Sequence, residues 1–234
     1  MTVDTTGRTP LRLVAVNAGL SEPSSTRLLV DRLVAATVDE LGARRRDVDV
    51  RVVDLRDLAV DIGRSLGAGF ATGAAGDAVR DVENADALIV ASPVFNASYS
   101  GLFKSFFDLV DPTTTVGKPV LIGATGGSPR HSMVLDHALR PLFAYLRTIV
   151  VPTGVYAASE DWSGGSGDTA TLSDRIRRAA GELAGLLAAA PKRPGPTVAS
   201  TEGDRPASAT DDAEAAGIAN FATLLGASSG APGH

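Results

Sequence analysis

Cysteine is absent from this chain of 234 residues, so disulfide bonds, thiol catalysis and thiolate metal sites are excluded. Histidine is nearly as scarce, with three residues. Long apolar runs are missing as well, since none reaches the ~18 residues that a membrane-spanning helix needs. The first residues, MTVDTTGRTP, lack the apolar core of a signal peptide. We therefore expect a soluble, cytoplasmic protein without a membrane partner.

Positive charge is in the minority. Lys and Arg number 22 against 27 Asp and Glu, which gives a formal net charge of −5. A general nucleic-acid binder needs clustered Lys and Arg to neutralise phosphates, and the one short basic run, Arg44–Arg46, is typical of a solvated turn. We therefore expect no nucleic-acid partner.

The chain does contain a regular alternation of strand-like and helix-like segments. The run LIVA (Leu88–Ala91) is uninterrupted and apolar, which is typical of a strand covered on both faces. In the second strand, Val48–Leu55, apolar and polar residues alternate, which favours a position near the edge of the sheet. The predicted strands are Leu11–Val16, Val48–Leu55, Ala87–Ser92, Pro119–Ala124 and Ile149–Ala157, with Pro152 placing the last at an edge or a bulge.

Helices are predicted between these strands, and residues 61–76, which are rich in Gly and Ala, are interpreted as a surface loop. The first helix begins near Ser24 and ends at Gly42. The other helices are predicted at Asp77–Asn84, Leu102–Val110, Val134–Leu146 (kinked or divided at Pro141) and Leu172–Ala189. Five strands with crossover helices indicate an α/β three-layer sandwich. Its five-stranded parallel sheet is predicted to have the order 2-1-3-4-5.

Composition divides the chain into three parts. Residues 1–190 are predicted to form the single α/β domain. Residues 191–212 turn to Pro, Ala, Ser, Thr and acidic residues, which predicts a flexible linker. In the tail, residues 213–234, a short apolar stripe of Ile218, Phe221, Leu224 and Leu225 fits either a docking helix or a disordered end.

The loop after the first strand, Asn17–Pro23, leads into a helix start that is rich in hydroxyl groups. Free N–H groups and the positive end of the helix dipole would add to these hydroxyls, and together they can bind a phosphate. The loop has neither the G-x-x-x-x-G-K-S/T nor the G-x-G-x-x-G spacing, so a P-loop and a dinucleotide fingerprint are excluded. The open alternatives are a phosphate site and an ordinary Ser-rich helix cap. The hydroxyls belong to Ser21, Ser24, Ser25 and Thr26.

The loop after the third strand, PVFNASYSG, stands where open α/β sheets bind ligands, beyond the carboxyl ends of the strands. Phe95 and Tyr99 offer flat apolar surface, and the backbone of Asn96–Ser98 offers polar groups. No catalytic acid, base or metal ligand lies among them. A flat ligand with polar edges suits this set, and a flavin ring is the first candidate. Core packing of Phe95 and Tyr99 is the alternative.

The loop after the fourth strand, ATGGSPRHS, would border the same site. Gly126 and Gly127 would let the backbone approach a planar ligand closely, although a plain glycine turn has the same sequence. His131 is the histidine near the predicted site, and it fits a polar contact or a proton relay. A single histidine does not make a metal site, so none is predicted.

These three loops give the chain a resemblance to the NADPH-dependent FMN reductase family of flavodoxin-like proteins over residues 11–190. It is similar in particular to the alkanesulfonate-type FMN reductases and to those paired with luciferase-like monooxygenases. The segments that carry the resemblance are AGLSEPSSTRLL, SPVFNASYSGLFKSFFDLVD and GKPVLIGATGGSPRHSMVLDHALRPLFAYL. The resemblance implies an oxidoreductase that uses FMN and NADPH (or NADH).

The resemblance also assigns roles to residues. It implies that hydride passes from the nicotinamide C4 to flavin N5, and that the protein supplies orientation and hydrogen bonds without a catalytic side chain of its own. By this resemblance the FMN phosphate is held by Ser21, Ser24, Ser25 and Thr26; the isoalloxazine is lined by Pro93, Val94, Phe95, Asn96, Ala97, Ser98 and Tyr99; and its other side is bordered by Thr125, Gly126, Gly127 and Ser128.

Two positions depart from the family pattern. Many relatives carry Arg in the first loop where this chain has Glu22, an anion close to the expected phosphate, so Glu22 is expected to point outward or else to weaken binding. Relatives often carry Tyr where this chain has Phe95. The phenylalanine ring can still stack on a ligand, but the hydrogen bond of the tyrosine hydroxyl is lost.

The resemblance extends to partners. It implies that reduced flavin leaves to supply a flavin-dependent monooxygenase, and that the protein is a homodimer or homotetramer. The helix Leu102–Val110 is either an interface or buried core. Three rival functions share the fold: an FMN-bound reductase of quinones, azo dyes or metal ions, a flavodoxin-type electron carrier, and a flavin-free interaction module.

Overall fold

A computed structural model of the protein describes residues 9–163 and 171–189. The predictions for the linker, 191–212, and for the tail, 213–234, lie outside these residues. The strands are β1 (Leu11–Asn17), β2 (Val48–Asp54), β3 (Ala87–Pro93), β4 (Pro119–Gly126), β5 (Ile149–Val150) and β6 (Val155–Ala158). The α-helices are α1 (Ser25–Ala43), α2 (Ala59–Ala68), α3 (Gly73–Asn84), α4 (Gly101–Phe107), α5 (Arg140–Tyr145) and α6 (Leu172–Ala189).

All the strands pair in parallel, in the order β2-β1-β3-β4-β5, which confirms the predicted order. β2 lies at one edge, as its alternating pattern indicated. From β1 the chain adds β2 on one side and then β3 on the other, so the switch point of the sheet lies between β1 and β3. In sheets of this kind the crevice beyond the carboxyl ends at such a switch point is where ligands bind.

The two faces of the sheet are covered by different helices because side chains alternate along each strand. Leu13 and Ala15 of β1 pack with α1 and α6 on one face. Val14 and Val16 pack on the other face with α2, α3, α4 and α5. The predicted three-layer sandwich is therefore confirmed.

The last predicted strand, Ile149–Ala157, is divided in the structure, so the prediction of one continuous strand was wrong. β5 and β6 both pair with β4, and Pro152, which has no N–H to give to a ladder, lies in the gap. Side chains bind the backbone there: Glu182 of α6 accepts hydrogen bonds from the Thr153 N–H (2.8 Å) and hydroxyl (2.7 Å). Arg140 donates to the carbonyls of Val151 (3.2 Å) and Pro152 (3.1 Å).

The surface loop predicted over residues 61–76 was wrong as well. That stretch contains most of α2 and the start of α3. Ile62 and Ser65 are buried three residues apart on one face of α2, and this contact with the core outweighs the low helix propensity of the neighbouring glycines. The helix ends at Gly69, whose φ of 80° is a left-handed conformation that glycine adopts without strain.

Two other predictions for helices are decided by the structure. The segment around Pro141 is divided as predicted, since a π-helical turn, Leu135–Leu139, passes directly into α5. α4 buries Phe103, Phe106 and Phe107 in the core, and Val110 beyond it is buried too, so the core alternative is confirmed for these side chains. No helix among the described residues is long and apolar enough to cross a membrane.

Candidate functional site

Three loops leave the carboxyl ends of β1, β3 and β4 side by side, because these strands are neighbours in the sheet. Hydrogen bonds join the loops directly. The Ala18 N–H donates to the Ala91 carbonyl at 3.0 Å, and the Val94 N–H donates to the Thr125 carbonyl at 2.8 Å. The hydroxyls of Thr26 and Thr125 lie 2.7 Å apart. The three predicted binding segments thus form one continuous surface.

The first loop ends at a capped helix. The Ser24 hydroxyl accepts a hydrogen bond from the Arg27 N–H and so caps α1. The N–H groups of Ser25 and Thr26 belong to the first helical turn and have no acceptor within the helix. Gly19 is required here, since a Cβ at this position would lie 2.0 Å from the Ser24 Oγ. The structure therefore shows the helix cap, and it also leaves N–H groups free at the helix end, so the phosphate site stays a prediction that is compatible with the cap.

The second loop is a tight hairpin turn. Phe95 and Ser98 exchange two backbone hydrogen bonds, of 2.9 and 3.0 Å. The two residues between them, Asn96 (φ 48°) and Ala97 (φ 64°), are both left-handed, the pattern of a type I′ turn. This conformation leaves Asn96 and Ala97 exposed at the rim of the site.

The base of this second loop is fastened to the end of β3. The Ser92 hydroxyl is buried, donates to the Pro93 carbonyl and accepts the Ser100 N–H at 2.8 Å. The Ser100 hydroxyl in turn accepts the Phe103 N–H and caps α4. The hairpin turn therefore projects from a fixed base.

The third loop is held by a tyrosine of β6. The Tyr156 hydroxyl donates a 2.6 Å hydrogen bond to the Ser128 carbonyl. Burial raises the pKa of the Tyr156 phenol above its ordinary value, and the negative charge of Asp161 adds to the shift, so the hydroxyl stays protonated as the donor. Gly127 is exposed and its Cα faces open space.

A polar network fixes the first loop against β2. The buried Asn17 side chain accepts the Gly19 N–H at 3.0 Å and donates to Asp54 at 2.7 Å. Asp54 also binds the Arg27 guanidinium at 2.5 Å, and Arg27 reaches Asp31 at 2.8 Å. Sequence reasoning missed this network. Its available signal was that Asn17 and Asp54 are polar residues ending neighbouring strands at the same edge of the sheet.

A cavity of about 530 Å³ opens beside the first loop, on the β2 side. Four carboxylates and two guanidinium groups line it. Glu22 and Arg56 form a 3.0 Å ion pair there, and the Glu22 side chain is 80% exposed. Glu22 therefore points outward, as expected, towards a cation that comes from the end of β2. The lining comprises Asn17, Gly19, Ser21, Glu22, Pro23, Ser24, Arg27, Leu28, Asp31, Asp54, Arg56 and Asp57.

The aromatic and histidine candidates have different surroundings. Phe95 is 46% exposed, whereas Tyr99 is partly buried, packs on the core and lies 5.7 Å from the Phe103 ring. Tyr99 therefore has the core contacts of the alternative interpretation, and Phe95 does not. His131 is exposed at the end of the turn that follows Ser128.

The candidate site is thus a hydroxyl-rich helix end, an exposed hairpin turn and a glycine-containing turn at the carboxyl edge of a 2-1-3-4-5 sheet. The sequence profile of the NADPH-dependent FMN reductases matches residues 11–163, which covers all three loops. This chain belongs to the NADPH-dependent FMN reductase family.

Individual relatives agree with this assignment. The chain is 42% identical over 178 residues to an FMN reductase (NADPH) of Pseudomonas aeruginosa, across 76% of this chain and 93% of that protein. It is 38% identical over 181 residues to the NADH-dependent FMN reductase SfnE of Pseudomonas putida, across 77% of this chain and 95% of that one. An oxidoreductase of Corynebacterium diphtheriae has a similar structure, with 44% identity and a TM-score of 0.72 over 76% of this chain and 97% of its own.

Proposed function

We propose that this protein is an NAD(P)H-dependent FMN reductase that takes FMN as a diffusible substrate and supplies reduced flavin to a flavin-dependent monooxygenase. The observation that supports it most is the hydrogen-bonded convergence of the three loops at the switch point of the sheet. The names of the relatives point to the same reaction, with NADPH in one case and NADH in the other. We place the reaction in the cytoplasm, where NAD(P)H is produced.

The first loop fits the phosphate of FMN. The N–H groups of Ser25 and Thr26, with the Ser21, Ser24 and Ser25 hydroxyls, would hold the phosphate. The Thr26 hydroxyl is buried against Thr125, so its contribution would come from the backbone. Bound flavin supplies a ring that accepts hydride and passes electrons on, and the protein contributes binding and orientation.

The other two loops would meet the ring. The exposed backbone of the turn at Asn96–Ala97 would approach one edge and face of the flavin ring. The other residues of this loop that would approach it are Phe95 and the partly exposed Pro93, Val94, Ser98 and Tyr99. The turn Gly126–Ser128 would border the opposite side, where Gly127 leaves space for a planar ligand.

The charge around the first loop favours flavin as a substrate that leaves. Arg27 is paired with Asp31 and Asp54, and Arg56 with Glu22 and Asp57. A phosphate at the helix end would therefore rely on N–H groups and hydroxyls, with four carboxylates nearby. Such a site binds FMN more weakly than one with unpaired arginines would, and release of reduced flavin becomes easier.

The test is oxidation of NADPH and of NADH at 340 nm by desalted protein, with and without added FMN. Turnover that saturates with added FMN, from colourless protein, supports the proposal. Yellow protein that needs a quinone, an azo dye or a metal ion as acceptor would make FMN a resident cofactor instead. Absence of both turnover and flavin binding would refute the proposed reaction. Light scattering on the same sample tests the homodimer or homotetramer that the family resemblance implies.

A further inference from the structure

Tyr156 lies outside the three loops and yet acts on one of them. It belongs to β6, where its Cα pairs in register with Ala124 of β4. Its side chain runs along the sheet edge to the turn after β4, where the hydroxyl donates to the Ser128 carbonyl at 2.6 Å. The residue is 7% exposed, so this contact is part of the packed structure.

Tyr156 and Gly126 form a matched pair. A Cβ on Gly126 would lie 2.3 Å from the Tyr156 hydroxyl oxygen and 3.3 Å from Cζ. The hydroxyl therefore occupies the volume that any side chain at position 126 would need. The absence of a side chain at Gly126 permits the hydrogen bond, and the hydrogen bond fixes the turn that Gly126 begins.

Ser128 connects this bond to the rest of the turn. Its carbonyl also accepts the His131 N–H at 3.3 Å, and its hydroxyl accepts the Arg130 N–H at 3.3 Å. The backbone of Tyr156 is itself held by α6, because Arg175 donates to the Tyr156 carbonyl at 3.2 Å and to the Asp161 carboxylate at 2.8 Å. The Tyr156 side chain, whose backbone is fixed, thus holds the Ser128 carbonyl, and that carbonyl determines where the turn lies.

We infer that Tyr156 is a positioning residue for flavin binding: its hydroxyl holds the Gly126–Ser128 turn in the place where the flavin ring docks. This inference rests on the proposed function, which puts that turn beside the ring. The expected signature is a change in FMN affinity with the turnover at saturating FMN retained, since Tyr156 acts through the turn and touches no reacting atom.

The first variant is Tyr156→Phe, which removes the hydroxyl and keeps the ring. We expect the dissociation constant for FMN, measured by quenching of flavin fluorescence, to rise about fivefold to tenfold, the effect of losing one hydrogen bond. Riboflavin should lose affinity by the same factor, because the turn meets the ring and not the phosphate. The KM for FMN should rise with it, while kcat stays within about twofold. Tyr145→Phe, at a position 76% exposed, is the control.

The second test is a double-mutant cycle with Gly126→Ala. In the native background this substitution collides with the hydroxyl and should weaken FMN binding about tenfold or more. In the Tyr156→Phe background the oxygen is gone and the nearest remaining atom is Cζ at 3.3 Å, so the same substitution should add less than about a twofold loss.

The outcomes separate the two hypotheses. Unchanged FMN affinity in Tyr156→Phe, or equal losses from Gly126→Ala in both backgrounds, overturns the role of Tyr156 while native activity still supports the proposed function. A lowered thermal midpoint with unchanged FMN affinity would make Tyr156 purely structural and also overturns it. Native protein that binds no FMN refutes the proposed function, and the role of Tyr156 with it.

Discussion

The hydroxyls of Thr26 and Thr125 form a buried 2.7 Å hydrogen bond between residues 99 positions apart in the chain. Thr26 belongs to the first turn of α1 and Thr125 to the end of β4, so the bond ties the first loop of the candidate site to the third. Each side chain is nearly inaccessible to solvent, at 2% and 3% exposure. The bond therefore sets the spacing between two parts of one site.

Removing one partner should be worse than removing both. Thr125→Val leaves the Thr26 hydroxyl buried and unpaired, and we expect a loss of about 1–3 kcal/mol in the free energy of unfolding. Adding Thr26→Val replaces both hydroxyls with methyl groups of similar shape, and the double variant should recover most of that loss. Urea unfolding measures both. Additive losses from the two substitutions would argue against a shared hydrogen bond.

The left-handed Ala97 offers a substitution that stabilises. Alanine at φ 64° is strained, whereas glycine is the usual second residue of a type I′ turn. Ala97→Gly should raise the free energy of unfolding by about 0.5–1 kcal/mol, measured by thermal or urea unfolding. Ala35→Gly, at an exposed position inside α1, is the matched control and should lower it by about 1 kcal/mol. Two losses of equal size would mean that position 97 is not strained.

The strand order and the three loops could be predicted because they depend on local patterns: apolar runs, helix caps and turn residues. Tyr156 could not be connected to the site, because its contact depends on how β6 is placed after the break at Pro152. The pairing of Glu22 with Arg56 joins two exposed residues from separate segments, and no periodicity marks it. α2 was missed because its glycines suggest a loop, while the burial of Ile62 becomes apparent only in the folded chain.

Lys118 is a buried lysine whose role is structural. Its ammonium donates to the carbonyls of Val82 (2.5 Å) and Glu83 (3.0 Å), which belong to the last turn of α3. Lys118→Met would leave those carbonyls without this donor, and we expect a loss of about 1–3 kcal/mol in the free energy of unfolding. Lys104→Met removes an exposed lysine paired with Asp108 and should change it by less than about 1 kcal/mol. Comparable urea midpoints for the two variants would show that the buried contact is unimportant.

Although Glu22 points outward, its carboxylate lines the same cavity as Ser24 and keeps Arg56 paired, so we expect it to weaken FMN binding at the proposed phosphate site. Glu22→Gln removes a negative charge from the rim and releases Arg56 from one of its two carboxylates. We expect FMN to bind about threefold to tenfold more tightly at low salt, a change of roughly 1 kcal/mol for charges interacting through solvent. The gain should shrink as ionic strength rises, since the groups are exposed.

The phosphate itself supplies the control for this effect. Riboflavin lacks it, so its affinity should be the same for the native protein and Glu22→Gln. Asp39→Asn changes the net charge by the same amount at an exposed position on α1, away from the residues that line the cavity, and should leave FMN affinity unchanged. If Glu22→Gln tightened riboflavin as much as FMN, the effect would come from a rearranged loop and not from charge. If it also slowed turnover at saturating FMN, release of reduced flavin would be the step that Glu22 accelerates.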